Sequence, residues 1–119
     1  MKVLIIDDEQ LLLEDMEMIL DFEGFDPITA ENGRMGVQMA QKHMPDVIVC
    51  DIAMPQMDGF QVVQELRKQP ETATIPFIFL SALASKSDIE SGLGTGANGY
   101  LVKPIDAAEL VSAIRSCVR

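Results

Sequence analysis

The sequence predicts a three-layer α/β sandwich, a parallel sheet between two layers of helices, and two observations carry that expectation. Five short apolar runs recur, at residues 3–6, 25–30, 47–50, 75–80 and 100–102, and stretches with helical spacing separate them. Short, nearly unbroken apolar runs suit strands covered on both faces, as in a parallel sheet. The alternation reads as (βα) repeated five times. Right-handed crossovers in a doubly wound sheet then favour the strand order 2-1-3-4-5.

Each element has its own signal. The run at 3–6 follows Met1 and Lys2 directly. Leu12, Met16, Ile19 and Leu20 form the apolar stripe of the first helix. The run at 25–30 is the weakest of the five. The second helix ends near His43, beside Pro45. Phe60, Val63 and Leu66 stripe the third helix. Residues 85–93 offer only Ile89 and Leu93 as apolar anchors and include Gly92, so this fourth helix has the weakest signal. Leu110, Ile114, Cys117 and Val118 stripe the last helix, with Asp106 as N-cap and Glu109 completing a capping box.

A chain of 119 residues, 48% of them hydrophobic, is sized for one domain with one sizeable core. It has no Trp and one Tyr, so aliphatic residues, Met and Phe must fill that core. A net charge of −10 argues against direct contact with nucleic acid or an anionic membrane surface. It suits a partner with a basic face, or a site that gathers carboxylates around a cation. Cys50 and Cys117 match no zinc or redox spacing and read as reduced core residues. No apolar run is long enough to span a bilayer, and nothing precedes the first strand that resembles a targeting segment, so the expected compartment is the cytosol.

The chemistry gathers where the runs end. The first is followed by Asp7 and Asp8, the third by Asp51, the fourth by Ser81 and the fifth by Lys103. A parallel sheet brings these ends to one rim, where open α/β sheets bind ligands. Each residue alone has an ordinary explanation: Asp after a strand serves as an N-cap, and Ser as a turn residue. Together they assemble three carboxylates, a hydroxyl and an ammonium. Clustered carboxylates repel unless a cation intervenes, and oxygen donors alone suit Mg²⁺ better than zinc. Lys103 adds a positive charge for an anion above the metal. Such an assembly suits a phosphoryl group.

These residues also carry a resemblance along the whole chain. Asp7-Asp8-Glu9, the segment Asp51-Ile52-Ala53-Met54-Pro55-Gln56-Met57-Asp58-Gly59, Ser81-Ala82, and Gly96-Ala97-Asn98-Gly99-Tyr100-Leu101-Val102-Lys103-Pro104 are similar, in order and spacing, to the motifs of the receiver domain of bacterial two-component response regulators. The resemblance implies a flavodoxin-like (βα)5 fold over residues 1–119. It implies that Asp51 accepts a phosphoryl group from a sensor histidine kinase or phosphotransfer protein. Asp8, Asp51 and the backbone carbonyl of Ala53 would ligate Mg²⁺, with Mn²⁺ as a substitute, and Asp7 would act through a bound water. Lys103 would pair with phosphoryl oxygens and Ser81 would bond one of them. Tyr100 would act as a rotamer switch coupled to Ser81, and Lys103-Pro104 would carry a cis peptide. Pro55 and Gly59 would shape the loop into the third helix. An output domain or separate effector would receive the signal, with the domain a monomer or a phosphorylation-dependent dimer. The end at Arg119 fits either a complete single-domain regulator or a piece of a longer protein.

Other features carry less. Gly94 to Gly99 matches the spacing G-x-G-x-x-G, but follows a helix and opens a strand, the reverse of a dinucleotide fingerprint. Gly94 and Gly96 read instead as helix termination and a turn. His43 lacks metal partners in sequence and reads as a solvated helix-terminal residue. The methionines read as core filling, although Met54 and Met57, beside Asp51, are candidates to face a partner. Gly99 and Ala113 replace the charged residues through which regulators of the winged-helix transcription-factor type dimerise. Ala53 and Leu83 stand at the positions that gate water. Two further functions compete. A haloacid dehalogenase-type phosphohydrolase needs an Asp two residues after its nucleophile, where this chain has Ala53. A non-phosphorylated interaction module tends to lose acidic or lysine residues, all of which are kept here.

Overall fold

The computed structural model describes residues 1–118. Its strands β1 (Lys2–Ile6), β2 (Asp26–Ala30), β3 (Val47–Asp51), β4 (Phe77–Ser81) and β5 (Gly99–Val102) alternate with helices α1 (Gln10–Phe22), α2 (Gly33–His43), α3 (Gly59–Lys68), α4 (Lys86–Leu93) and α5 (Ala107–Cys117). All pairings are parallel and the order is β2-β1-β3-β4-β5, as the alternation predicts.

The apolar runs are nearly continuous because successive residues feed opposite cores. Leu4, Ile6, Ile48, Cys50, Phe77 and Phe79 pack with Val62, Val63 and Leu66 of α3. Val3, Ile5, Val47, Val49, Ile78 and Leu80 pack with Leu13, Met16 and Leu20 of α1 and with Leu110, Val111 and Ile114 of α5. The buried stripe of α1 therefore begins at Leu13, while Leu12 and Ile19 flank it half-buried. Phe60 likewise flanks Val63 and Leu66. Cys50 is buried, but Cys117 is only half-buried on α5, and both are free thiols. Cys117 is thus a margin residue rather than a core one.

Boundaries shift where backbone chemistry demands it. β4 starts at Phe77, because Pro76 has no N–H to give the ladder. β2 starts at Asp26, one residue after buried Phe25. The weakly signalled α4 exists and has a defined start. Ser85 Oγ accepts from Asp88 N at 3.0 Å, and Asp88 Oδ2 accepts from Ser85 N at 3.3 Å. Asp106 caps α5 by accepting from Glu109 N, but the Glu109 side chain does not return the bond, so the capping box is half-formed. Gly94 caps α4 and Gly96 turns in the left-handed region at φ 101°.

One side chain ties three segments together at the rim where β4 and β5 begin. Arg67, at the end of α3, donates to the carbonyls of Ile75 at 2.7 Å and Gly96 at 3.1 Å and to Asn98 Oδ1 at 3.3 Å. Asn98 Oδ1 also accepts from Phe77 N at 2.9 Å. Half-buried His43 closes α2 at the same rim, where its carbonyl accepts from Lys2 Nζ. Among the described residues no helix is long and apolar enough to cross a membrane.

Candidate functional site

Register builds the site. Ile6 pairs with Cys50, so Asp7 follows β1 beside Asp51, the last residue of β3. Ser81 pairs with Val102, and Lys103 N donates to Ser81 O at 2.8 Å, which continues the ladder one step beyond β5. Asp7, Asp51, Ser81 and Lys103 therefore share the carboxyl rim, as the run endings predict. The Lys103-Pro104 peptide is cis.

Three carboxylates converge there. Oxygens of Asp7, Asp8 and Asp51 lie within 4.8 Å of one another. Asp7 is fully buried and Asp51 is 4% exposed, while Asp8 faces solvent. Lys103 Nζ lies 3.3 Å from Asp7 Oδ2, 3.5 Å from Asp51 Oδ1 and 3.0 Å from Glu9 Oε1. Burial, with the Asp7 charge second, pushes the Asp51 carboxyl up to about 6. Burial likewise raises Asp7, against its hydrogen bond from Glu9 N and the nearby Lys103 charge. For Lys103 burial works the other way, but the bond to Glu9 and the charges of Asp7 and Asp51 outweigh it and raise the ammonium. One ammonium does not compensate this many acids.

The donor set fits a hard divalent cation. It consists of oxygens alone, and Asp7 Oδ2 is buried without a hydrogen bond. The Lys103 ammonium, 3.3 Å away, meets part of that oxygen's need, and three carboxylates around one ammonium leave negative charge that a divalent cation would neutralise. The loop that follows Asp51 is tight: Met57 N donates to Pro55 O, Gln56 has φ 69°, and Gly59 N donates to Ile52 O at 2.8 Å. A Cβ on Gly59 would come within 2.9 Å of Ile52 Cα, so only glycine lets α3 start this close to the loop. Pro55 and Ala53 are exposed on this loop. Met54 instead faces inward at 8% exposure, and Met57 is half-buried against the same core. Met54 therefore presents no partner surface, while Met57 is only half covered.

Ser81 and Tyr100 are linked through one residue. Buried Ser81 Oγ accepts from Leu83 N at 3.0 Å, which leaves its O–H to donate elsewhere. The Tyr100 hydroxyl donates to Leu83 O at 2.8 Å. The Tyr100 ring already packs inward, 6.3 Å from the Phe79 ring and against Gly92 of α4. Two residues take part in ways their sequence motifs do not reveal. Glu9 was legible only as part of an acidic triplet, yet makes the shortest contact with Lys103. Leu83 acts through its backbone, which no side-chain motif reveals.

A family model for the response regulator receiver domain matches residues 3–115. The chain belongs to that family. The receiver domain is 40% identical, over 99% of its length, to a probable transcriptional regulator ycf27 of Porphyridium aerugineum, of which it covers 48%. It is 36% identical over the same share to the DNA-binding dual master transcriptional regulator RpaA of a Synechocystis strain, covering 49% of it. The chain thus spans about half the length of these curated relatives. The solved structure of the chemotaxis protein CheY4 of Vibrio cholerae superposes with a TM-score of 0.92 at 32% identity, covering 98% of both chains. The receiver domain is accordingly a signalling module of two-component systems, and the dehalogenase-type reading is not favoured.

Proposed function

We propose that this receiver domain takes a phosphoryl group onto Asp51 from a phosphohistidine of a sensor histidine kinase or phosphotransfer protein, and passes the signal to an output domain or separate effector. The observation that carries the reading is the placement of nearly buried Asp51 beside Asp7, Asp8 and Lys103 at the end of β3. An Asp51 carboxylate oxygen attacks phosphorus, a P–O bond forms, and the P–N bond breaks with its electron pair leaving on the imidazole. Phosphoryl transfer requires mainly positioning and charge neutralisation.

Asp8, Asp51 and the Ala53 carbonyl would hold Mg²⁺, or Mn²⁺ in its place, with Asp7 acting through a water. When bound, the cation neutralises charge on the phosphoryl oxygens. Lys103, already 3.5 Å from Asp51, would supply a second positive charge to the phosphoryl oxygens. The Ser81 O–H donates to a phosphoryl oxygen, and its movement is felt at Leu83 and so at Tyr100. The domain over residues 1–119 works in the cytosol and makes no direct contact with nucleic acid or membrane, in keeping with its net charge of −10. It acts as a monomer or as a phosphorylation-dependent dimer.

Intact-mass analysis after incubation with acetyl phosphate and Mg²⁺ tests the assignment. One phosphoryl adduct is expected, absent after chelation and in Asp51→Asn. An adduct of equal yield in Asp51→Asn removes Asp51 as acceptor.

A further inference from the structure

Gly92 is the one buried residue of α4, an eight-residue helix. Glycine inside a helix costs about 0.5–1 kcal/mol relative to alanine, and α4 has few apolar contacts with which to offset it. Something other than helix formation must favour glycine here. The space around it gives the reason. A Cβ at position 92 would stand 2.8 Å from Tyr100 Cε2, 2.9 Å from Cδ2 and 3.3 Å from Phe79 Cδ2. Phe79 is fully buried and packs on the Phe60 and Phe77 rings, so it has nowhere to go. The Tyr100 ring is half-buried at the edge of the sheet and is the group that must yield.

We propose that Gly92 is a positioning residue that forms the seat for the Tyr100 ring, and that the absence of a side chain there sets how far the ring lies inward. This deepens the reading of Tyr100 as the switch and rests on it. With the ring seated, its hydroxyl reaches the Leu83 carbonyl, and Leu83 N reaches Ser81 Oγ. A methyl group at position 92 lifts the ring, stretches the bond to Leu83 O and weakens the tie between α4 and Ser81. The seated state then becomes harder to reach, and any ligand at Asp51 that favours it must bind more weakly.

Tyr100 is the only tyrosine and the chain has no tryptophan, so tyrosine emission and its quenching by acrylamide report this ring alone. The test compares the intact domain, Gly92→Ala, Tyr100→Ala and the double variant, using beryllofluoride with Mg²⁺ as the phosphoryl mimic. Far-UV circular dichroism confirms folding. Gly92→Ala is expected to raise the quenching constant and to weaken mimic binding by about fivefold or more, the lower range of a site-to-site coupling. In the Tyr100→Ala background the same substitution is expected to leave mimic affinity unchanged, because no ring remains to displace. Unaltered Tyr100 quenching in Gly92→Ala overturns the seat. So does an equal loss of mimic affinity with and without the tyrosine, which would assign the effect to helix α4 itself. A displaced ring with unchanged mimic affinity leaves the seat in place and removes Tyr100 as the switch.

Discussion

Helices α3 and α4 begin with the same device and differ in everything that follows. Asp58 and Gln61 exchange side-chain-to-backbone bonds at the start of α3, each 2.9 Å, and Ser85 and Asp88 do the same at the start of α4. Beyond the cap, α3 buries Gly59, Val62, Val63 and Leu66, whereas α4 buries only Gly92. The adjoining strands repeat the contrast: every residue of β3 is buried and none of β5 is. A cap fixes where a helix starts, but burial decides how firmly it is held. Asp51 is thus mounted on the firm half, and the Tyr100 ring lies against the soft half. This division suits a module that must keep its chemistry aligned while its surface changes.

The largest expected effect separates the two helices directly. Leu66→Ala should destabilise the domain by about 2–5 kcal/mol through a buried cavity, while Ile89→Ala, half-buried on α4, should cost about 1 kcal/mol or less. Urea unfolding measures both, and equal losses would erase the distinction. Amide exchange should agree, with α4 opening locally and α3 only with the whole domain.

The next effect is electrostatic and belongs to the firm half. Asp51 ionises at about 6 in the folded domain, against an ordinary value of 3.8. Between those values the folded state holds a proton that the unfolded chain releases. Stability is therefore greatest below pH 4 for this group and is lost as pH rises through 6. Asp7 is shifted the same way and reinforces the slope. Metal-free protein should be more stable near pH 5 than near pH 7.5, with Asp51 alone supplying about 1 kcal/mol across that interval. Asp51→Asn or added Mg²⁺ should flatten the slope. A melting temperature that rises with pH across that window would contradict the shift.

The smallest effect sits between the halves, at Lys103. Glu9 is exposed and competes with Asp51 for this ammonium. Glu9→Gln should speed phosphoryl uptake from acetyl phosphate by roughly twofold to fivefold, the scale of an exposed ion pair. Glu9→Asp, which keeps the charge on a shorter stem, should fall between. Unchanged rates in both would leave Glu9 a bystander.

How far the sequence reveals all this follows the same division. The strands of the firm half read clearly because alternate residues of 3–6 and 47–50 enter two different cores, which forces near-continuous apolar runs. The carboxylates and Lys103 read clearly because each ends such a run. On the soft half the apolar signal fades, since β5 is half-buried throughout and α4 depends on a cap and a glycine. The stripe of α1 runs through Leu13 rather than Leu12, because both are apolar and only packing chooses between them. Met54 fills the core, as methionines do by default, because its loop folds back on the sheet along a path set by Gln56 and Gly59. Backbone participants such as Leu83 O leave no trace in side-chain chemistry.

The Arg67 bonds give the soft half its mechanics. By fastening Gly96 and Asn98 to the start of β4, this side chain anchors the turn after α4, so the helix is better held at that end than at its start. An eight-residue helix is about 12 Å long, so a tilt of about 10° about that end would carry its first turn through about 2 Å. The travel is largest beside Leu83 and vanishes at Arg67. A displacement at Ser81 would therefore be felt most at the first turn of α4, beside Leu83, and least at the end that Arg67 holds.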